Sequence, residues 1–405
     1  MTLPVFQDDV APIATAAGSK LRRPENRRTI LLFAGAAAVG AVGWSGIPGL
    51  NAVALLYPFI YLQSRRRFDS LTVVFYYAAA TWSVLPASNQ FFRGGLVGPL
   101  VIWLGLIAFS SAPWLALYNQ RFLPLSALAS LMLLAIPPLG LVTLAHPIVV
   151  VGAWFPGTRW FGLGLPLLLI GSYRYLRAPF TLAILLASSM LVHTRFHRPA
   201  NESDIVPIST ALGGAYNAPT MLDTEATEIA LQGMVLSHPD SLVLLPESVI
   251  PGWNTVREAR WAQTFSRLKQ QHTGLLLGTT IPIPNTEANR NVLLSLGDTE
   301  HLSYVQRVPI PLGMWHPGDD RTGFPLGLKY PATIRVKNRR AAVLMCYEQF
   351  LVWPALQSLA RNPDMLLAPS NLHWAKGTRI PRNQHVAAQN WADLWAIPLY
   401  EARNR

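Results

Sequence analysis

Three apolar runs in the second half of this 405-residue chain end in residues that can do chemistry. LVLLP leads into Glu247, AAVLM into Cys346, and LLAP into Ser370-Asn371. In proteins that alternate strands and helices, ligands and reacting groups gather at the carboxyl ends of strands. A thiol and a carboxylate brought together there form a nucleophile and its base: the thiolate attacks an acyl carbonyl and the carboxylate takes the proton. A free thiol ionises near pH ~8.5, so it needs a base or a cation beside it to react at neutral pH. Both residues also have plainer readings. A lone cysteine at a strand end serves as a small apolar filler, and Glu247 serves as a loop acid or a neighbour of a helix N-terminus. One cysteine excludes an internal disulfide framework, a zinc ribbon and a four-cysteine cluster. His193, His197, His301, His316, His373 and His385 show no metal-ligand spacing, so neither a metal nor a cofactor is expected.

The elements that would position these residues follow a polar connector over 194–223. Helical patterns are predicted over 225–238, 261–272, 350–361 and 382–396, and strands over 241–245, 274–280, 291–296, 340–346 and 365–368. That alternation gives an α/β domain over 224–405.

The first half differs in kind. Over the whole chain 51% of residues are hydrophobic and 13% charged, against ~25% charged in an ordinary soluble domain. Apolar blocks near 29–47, 49–63, 70–87, 95–117, 122–144, 160–174 and 178–193 predict a polytopic membrane domain of about seven transmembrane helices over 29–193, after a cytoplasmic tail over 1–28. The piece 146–156 is too short to span and reads as re-entrant or interfacial. With the tail inside, Lys20, Arg22, Arg23, Arg27, Arg28, Arg65, Arg66, Arg67, Arg121, Arg174 and Arg177 fall on the inner face, and only Arg93 and Arg159 on the outer. That bias orients the chain, and an odd number of spans delivers the α/β domain to the periplasmic side of a bacterial inner membrane.

Of the net charge of +12, residues 1–193 carry +9, set between apolar blocks. This is the pattern of membrane topology rather than of a basic groove that follows phosphates, so no direct nucleic-acid binding is expected. The lack of ionisable residues deep in the blocks argues against an ion-coupled transporter.

Four segments resemble the nitrilase (carbon–nitrogen hydrolase) superfamily in its apolipoprotein N-acyltransferase-like branch: LVLLPESVIPGW, NVLLSLG with YVQRVPIPLGMWHP, AAVLMCYEQF, and APSNLHWAKGT with QHVAAQNWADLWAIPLYEARN. The resemblance implies an α-β-β-α sandwich, with Glu247 as general base, Cys346 as nucleophile, and Tyr347, Glu348, Asn371 and Trp374 in support. It also implies a lysine at a position held here by Gln306, a neutral amide that supplies no charge to an oxyanion. Arg307, one residue on, would point to the opposite strand face; Arg321, Lys329 and Lys376 are the other candidate cations. Met314 stands where the family has an acid. The chain ends at Arg405 where the family continues, so the sandwich is expected to be incomplete or closed differently. The resemblance is nearest to the branch that includes conjugal transfer proteins of rhizobial and agrobacterial plasmids. It implies membrane lipid and other transfer proteins as partners, and either a thiol amidase or acyltransferase or a relative with weak or lost chemistry.

Overall fold

Proline and glycine set the grain of the first half. The computed structural model describes residues 24–93, 95–176, 178–212, 221–297 and 304–405. Most of the expected tail, Arg177, and positions 213–220 of the connector lie outside the described residues. The helices are α1 (Pro24–Gly43), α2 (Tyr57–Tyr61), α3 (Thr72–Thr81), α4 (Val84–Phe92), α5 (Val97–Ala116), α6 (Leu123–Ala135), α7 (Trp160–Gly171) and α8 (Ala178–His193). Pro58 and Pro124 sit in the first turns of α2 and α6, where a missing N–H costs nothing. Pro137 and Pro138 follow the end of α6.

These breaks make the helices shorter than the apolar blocks read from the sequence. Among the described residues, α5 alone is a single helix long and apolar enough to cross a membrane by length and composition. The block expected over 70–87 is a pair, Arg67–Thr81 and Val84–Phe92, bent by 52°. The other apolar helices are shorter. The helical half nonetheless turns large apolar side chains outward, with Val101 of α5 64% exposed and Met190 of α8 70% exposed. Its interior holds aromatic and small residues, with Tyr57 stacked on Tyr76 at 4.1 Å between ring centres.

The second half is a sandwich of four layers. Strands β1 (Ile205–Pro207), β2 (Leu242–Leu244), β3 (Gly274–Pro282), β4 (Asn289–Gly297) and β5 (Tyr304–Val305) form one sheet in that order, parallel up to β3 and antiparallel after it. Strands β6 (Thr333–Val336), β7 (Arg339–Val343), β8 (Met365–Leu367) and β10 (Leu399–Tyr400) form the second, in the order β10-β8-β7-β6. A short parallel pair, β9 (Ser370–Asn371) with β11 (Arg403–Asn404), extends past its end. Leu242, Leu244, Leu276 and Leu293 of the first sheet pack on Val343, Met365 and Leu367 of the second. Val243, between Leu242 and Leu244, takes the opposite face of β2 and packs with Leu231 of α9 (Met221–Leu236) and Trp261 of α10 (Thr255–Gln270). On the outer side of the second sheet lie α11 (Val352–Leu359) and α12 (Ile380–Trp395). Strand β10 forms one edge of the second sheet.

The two halves share one core. The segment Pro147–Ala153, read from sequence as re-entrant or interfacial, is a buried 3-10 helix packed against α12. A Cβ on Gly152 would stand 1.8 Å from the carbonyl oxygen of Asn390, so only glycine permits this approach.

Candidate active site

Cys346 follows β7 at a sharp elbow. Its φ of 49° lies in the left-handed region, which costs a non-glycine residue of order 1–3 kcal/mol and is sustained only when its surroundings hold it. Here its N–H donates to the Pro369 carbonyl at 2.9 Å, and its own carbonyl accepts from Gln384 Nε2 at 2.8 Å. A 3-10 turn, Cys346–Phe350, starts at the elbow. The Glu348 carboxylate reaches back to accept from the Met345 N–H at 2.8 Å.

Glu247 follows β2 on the facing sheet. Gly278 of β3 allows its backbone through, since a Cβ there would come within 1.9 Å of the Pro246 carbonyl oxygen. The Cys346 thiol and the Glu247 carboxylate line one cavity and lie near enough for each to shift the other's pKa. The same carboxylate accepts from Asn291 Nδ2 at 2.6 Å and from the Asn371 backbone N–H at 3.0 Å. The structure thus brings Glu247, Cys346 and Asn371 from three strand ends to one point.

Gln306 reaches the same point. The Asn291 amide N–H₂ donates to Gln306 Oε1 at 2.8 Å as well as to Glu247, and Gln306 Nε2 donates to the Met345 carbonyl at 3.3 Å. Ser248 Oγ donates to Asn291 Oδ1 at 2.9 Å. Neutral amides therefore occupy the neighbourhood in which a cation was sought. Arg307 does point the other way. It is fully buried, with its guanidinium donating to Tyr304, Gln357, Ser358 and the Val343 carbonyl and lying 3.6 Å from Glu348. Arg321, Lys329 and Lys376 are exposed and do not line the cavity over Cys346.

The electrostatics follow from burial. Desolvation raises the pKa of Glu247, opposed by the hydrogen bonds from Cys346, Asn371 and Asn291. Desolvation first, and then the adjacent Glu247 carboxylate, push the Cys346 thiol well above its usual range, against backbone N–H groups of Asn371 and Tyr347 that favour the thiolate.

A cavity of about 840 Å³ opens over these groups. Its walls include Phe91 and Arg93 at the end of α4, Ile310, Phe324, His373 and Trp374. Phe91 meets Trp374 edge to face at 5.7 Å. Arg93 brings positive potential to this cavity, and burial and then Arg93 lower the His373 pKa, which favours its neutral form. A smaller, almost wholly apolar cleft of about 100 Å³ also touches Cys346, bounded by Val84 and Ala87 of α4, Ile102 of α5, Tyr347 and Phe350. Tyr347 fastens this side by donating to the carbonyls of Leu141 and Val142, both at 3.2 Å. No group of three or more metal-ligating side chains occurs among the described residues.

Sequence reasoning missed Asn291, Ser248 and Arg93 as parts of this site. Asn291 carried a signal, a polar residue at an inward position of an otherwise apolar strand; Arg93 carried none, because only tertiary packing brings α4 over the elbow.

No family model matches the chain. Among solved structures, the carbon–nitrogen hydrolase of Helicobacter pylori G27 is similar over 49% of this chain and 72% of that one, with a TM-score of 0.36 and 14% identity. An amidase from Nesterenkonia sp. is similar over 49% of this chain and 75% of that one, with a TM-score of 0.32 and 17% identity. Similarity to two curated proteins runs nearly end to end. The conjugal transfer protein TraB of Agrobacterium fabrum (strain C58 / ATCC 33970) is 29% identical over 408 residues, 95% of each chain. The probable conjugal transfer protein TraB of Sinorhizobium fredii (strain NBRC 101917 / NGR234) is 30% identical over 392 residues, 93% of this chain and 98% of that protein. With that identity carried across both lengths, the chain belongs to the TraB family of conjugal transfer proteins.

Proposed function

We propose that this protein is an inner-membrane component of a plasmid conjugation apparatus, with a periplasm-facing, nitrilase-like domain whose thiol acyl-transfer or amidase chemistry is weak or lost. The membrane reading is supported by the outward-facing apolar side chains of the helical half, which a bilayer would cover. The orientation is supported by the arginine bias. A cytoplasm-active reporter fused after Arg405 should be silent and a periplasm-active one should work; the reverse would overturn the orientation.

The observation that carries the chemical reading is the neutral Asn291–Gln306 pair beside Glu247 and Cys346. Acyl transfer at a thiol needs a thiolate, a base, and positive charge or strong donors at the developing oxyanion. A carboxylate base is present, but the thiol keeps its proton at neutral pH, and the amide pair offers no charge. Losing one good oxyanion donor costs about 3–4 kcal/mol, or 10²–10³ in rate. Cys346 should therefore react slowly with an acyl-mimicking electrophile at neutral pH, and plasmid transfer should survive Cys346→Ala. Rapid labelling, together with transfer lost to the level of a full deletion, would overturn this reading.

The cleft against Cys346 favours a second reading, a membrane-bound N-acyltransferase or amidase acting on lipid-linked or lipoprotein substrates. Sγ would add to the acyl carbonyl, Glu247 would take the thiol proton and pass it to the leaving group, and an acyl thioester would form. An acceptor amine or water would then release the acyl group, giving its proton back through Glu247. Mass spectrometry of the purified chain separates the two: an acyl adduct on Cys346 supports this second reading.

A further inference from the structure

A second pocket lies at another end of the helical half and takes no part in the site above. Three connections meet there: Ser64-Arg65 after α2, Gln120-Arg121 between α5 and α6, and Tyr173-Arg174 after α7. They enclose about 320 Å³. Arg174 donates to the Arg121 carbonyl at 3.5 Å, which ties two of the three together.

Three guanidinium groups thus converge on one pocket. Arg28 and Arg66, close by in the fold, pair with the buried Asp69 at 3.4 and 4.0 Å. Arg65, Arg121 and Arg174 have no acidic partner within ion-pair distance among the described residues. Gathering like charges is unfavourable unless an anion answers them. A second observation points the same way. Ser64 lines this pocket, is 3% exposed, and its hydroxyl has no hydrogen-bond partner among the described residues. A buried polar group left unpaired is unfavourable, and a ligand acceptor would satisfy it. The remaining wall is apolar, with Leu62, Leu123 and Pro124. At the pocket's edge Phe122 and Leu125 turn outward, 50% and 64% exposed.

We infer that this pocket binds a phosphate group, and that the phosphate is carried by an anionic membrane lipid. Guanidinium groups grip phosphate oxygens through paired N–H donors, and the Ser64 hydroxyl supplies one more. The apolar wall and the outward Phe122 and Leu125 would lie along the acyl chains. The inference rests on the membrane reading and not on the chemistry of Cys346.

Native mass spectrometry of the full chain, released from nonionic detergent with phosphatidylglycerol or phosphatidylcholine added, tests it. The wild type should retain phosphatidylglycerol about tenfold better or more, and each of Arg65→Gln, Arg121→Gln and Arg174→Gln should lower that preference by about fivefold. Arg67→Gln, at an exposed arginine outside the pocket, should leave it unchanged. In a parallel arm, the thermal midpoint of the detergent-solubilised chain is followed with millimolar inorganic phosphate. A rise in the wild type that the three pocket variants lose, without any lipid preference, would keep the phosphate site and replace its source by a soluble one. An Arg67→Gln effect equal to the pocket variants, or no response to either ligand, would overturn the inference.

Discussion

Glu247 and Glu348 are both buried within one site, yet the chain surrounds them in opposite ways. Glu348 accepts from the amides of Met345, Arg307 and Val308 and from the Tyr304 hydroxyl, with the Arg307 guanidinium 3.6 Å away. Glu247 accepts from a side-chain amide and one backbone N–H, with no cation among these partners. The division is made by two consecutive residues. Gln306 faces Glu247's network and Arg307 faces Glu348's. The Arg307 charge holds the elbow in place and stays out of the reacting pair's hydrogen bonds, while Arg93 lines the cavity above them.

That contrast can be broken from either side. The largest effect is expected from Arg307→Met, which strands Glu348 as a buried, uncompensated charge. Unfolding followed by circular dichroism should show a loss of about 3–5 kcal/mol, or failure to accumulate folded protein. Next is Gln306→Lys, which adds a cation to the reacting side. Labelling of Cys346 by an acyl-mimicking electrophile should then rise by about 10²-fold at neutral pH; an unchanged rate would show that charge is not what the site lacks.

The pH dependence sharpens the comparison. The raised thiol pKa predicts that wild-type labelling climbs with pH and shows no plateau below about pH 9. Gln306→Lys should bring the plateau lower. The smallest effect belongs to Glu247→Gln. A carboxyl whose pKa is raised by folding holds its proton more tightly in the native state. Its contribution to stability is complete below the pKa of the unfolded chain and is lost as pH rises through the folded value. Removing the charge should therefore raise the thermal midpoint at neutral pH by a few degrees, with little change in acid.

What could be read from sequence follows from how far each cause extends along the chain. Strands β2, β3, β7 and β8 were legible because burial on both faces leaves continuous apolar runs. Strands β5, β6, β9, β10 and β11 have two to four residues each, too few to show a period. Glu247 and Cys346 stand where chemistry gathers at strand ends. Arg93 and His373 were not, since their meeting over the elbow depends on how α4 packs. The apolar blocks did not show where each helix stops, because composition marks apolar surroundings while proline and glycine set the breaks.

The glycine contact at position 152 reaches the thiol through a relay of packing. Helix α12 lies against Pro147–Ala153 on one side, and on another carries Gln384, which holds the Cys346 carbonyl, and Trp391, whose indole donates to the Gln349 carbonyl at 3.2 Å. The support under the elbow is thus itself supported by the half of the chain that is synthesised first. The left-handed turn at Cys346 therefore leans, through α12, on a glycine nearly two hundred residues away in sequence. Replacing Gly152 by alanine should loosen the thiol pocket without touching any residue that lines it.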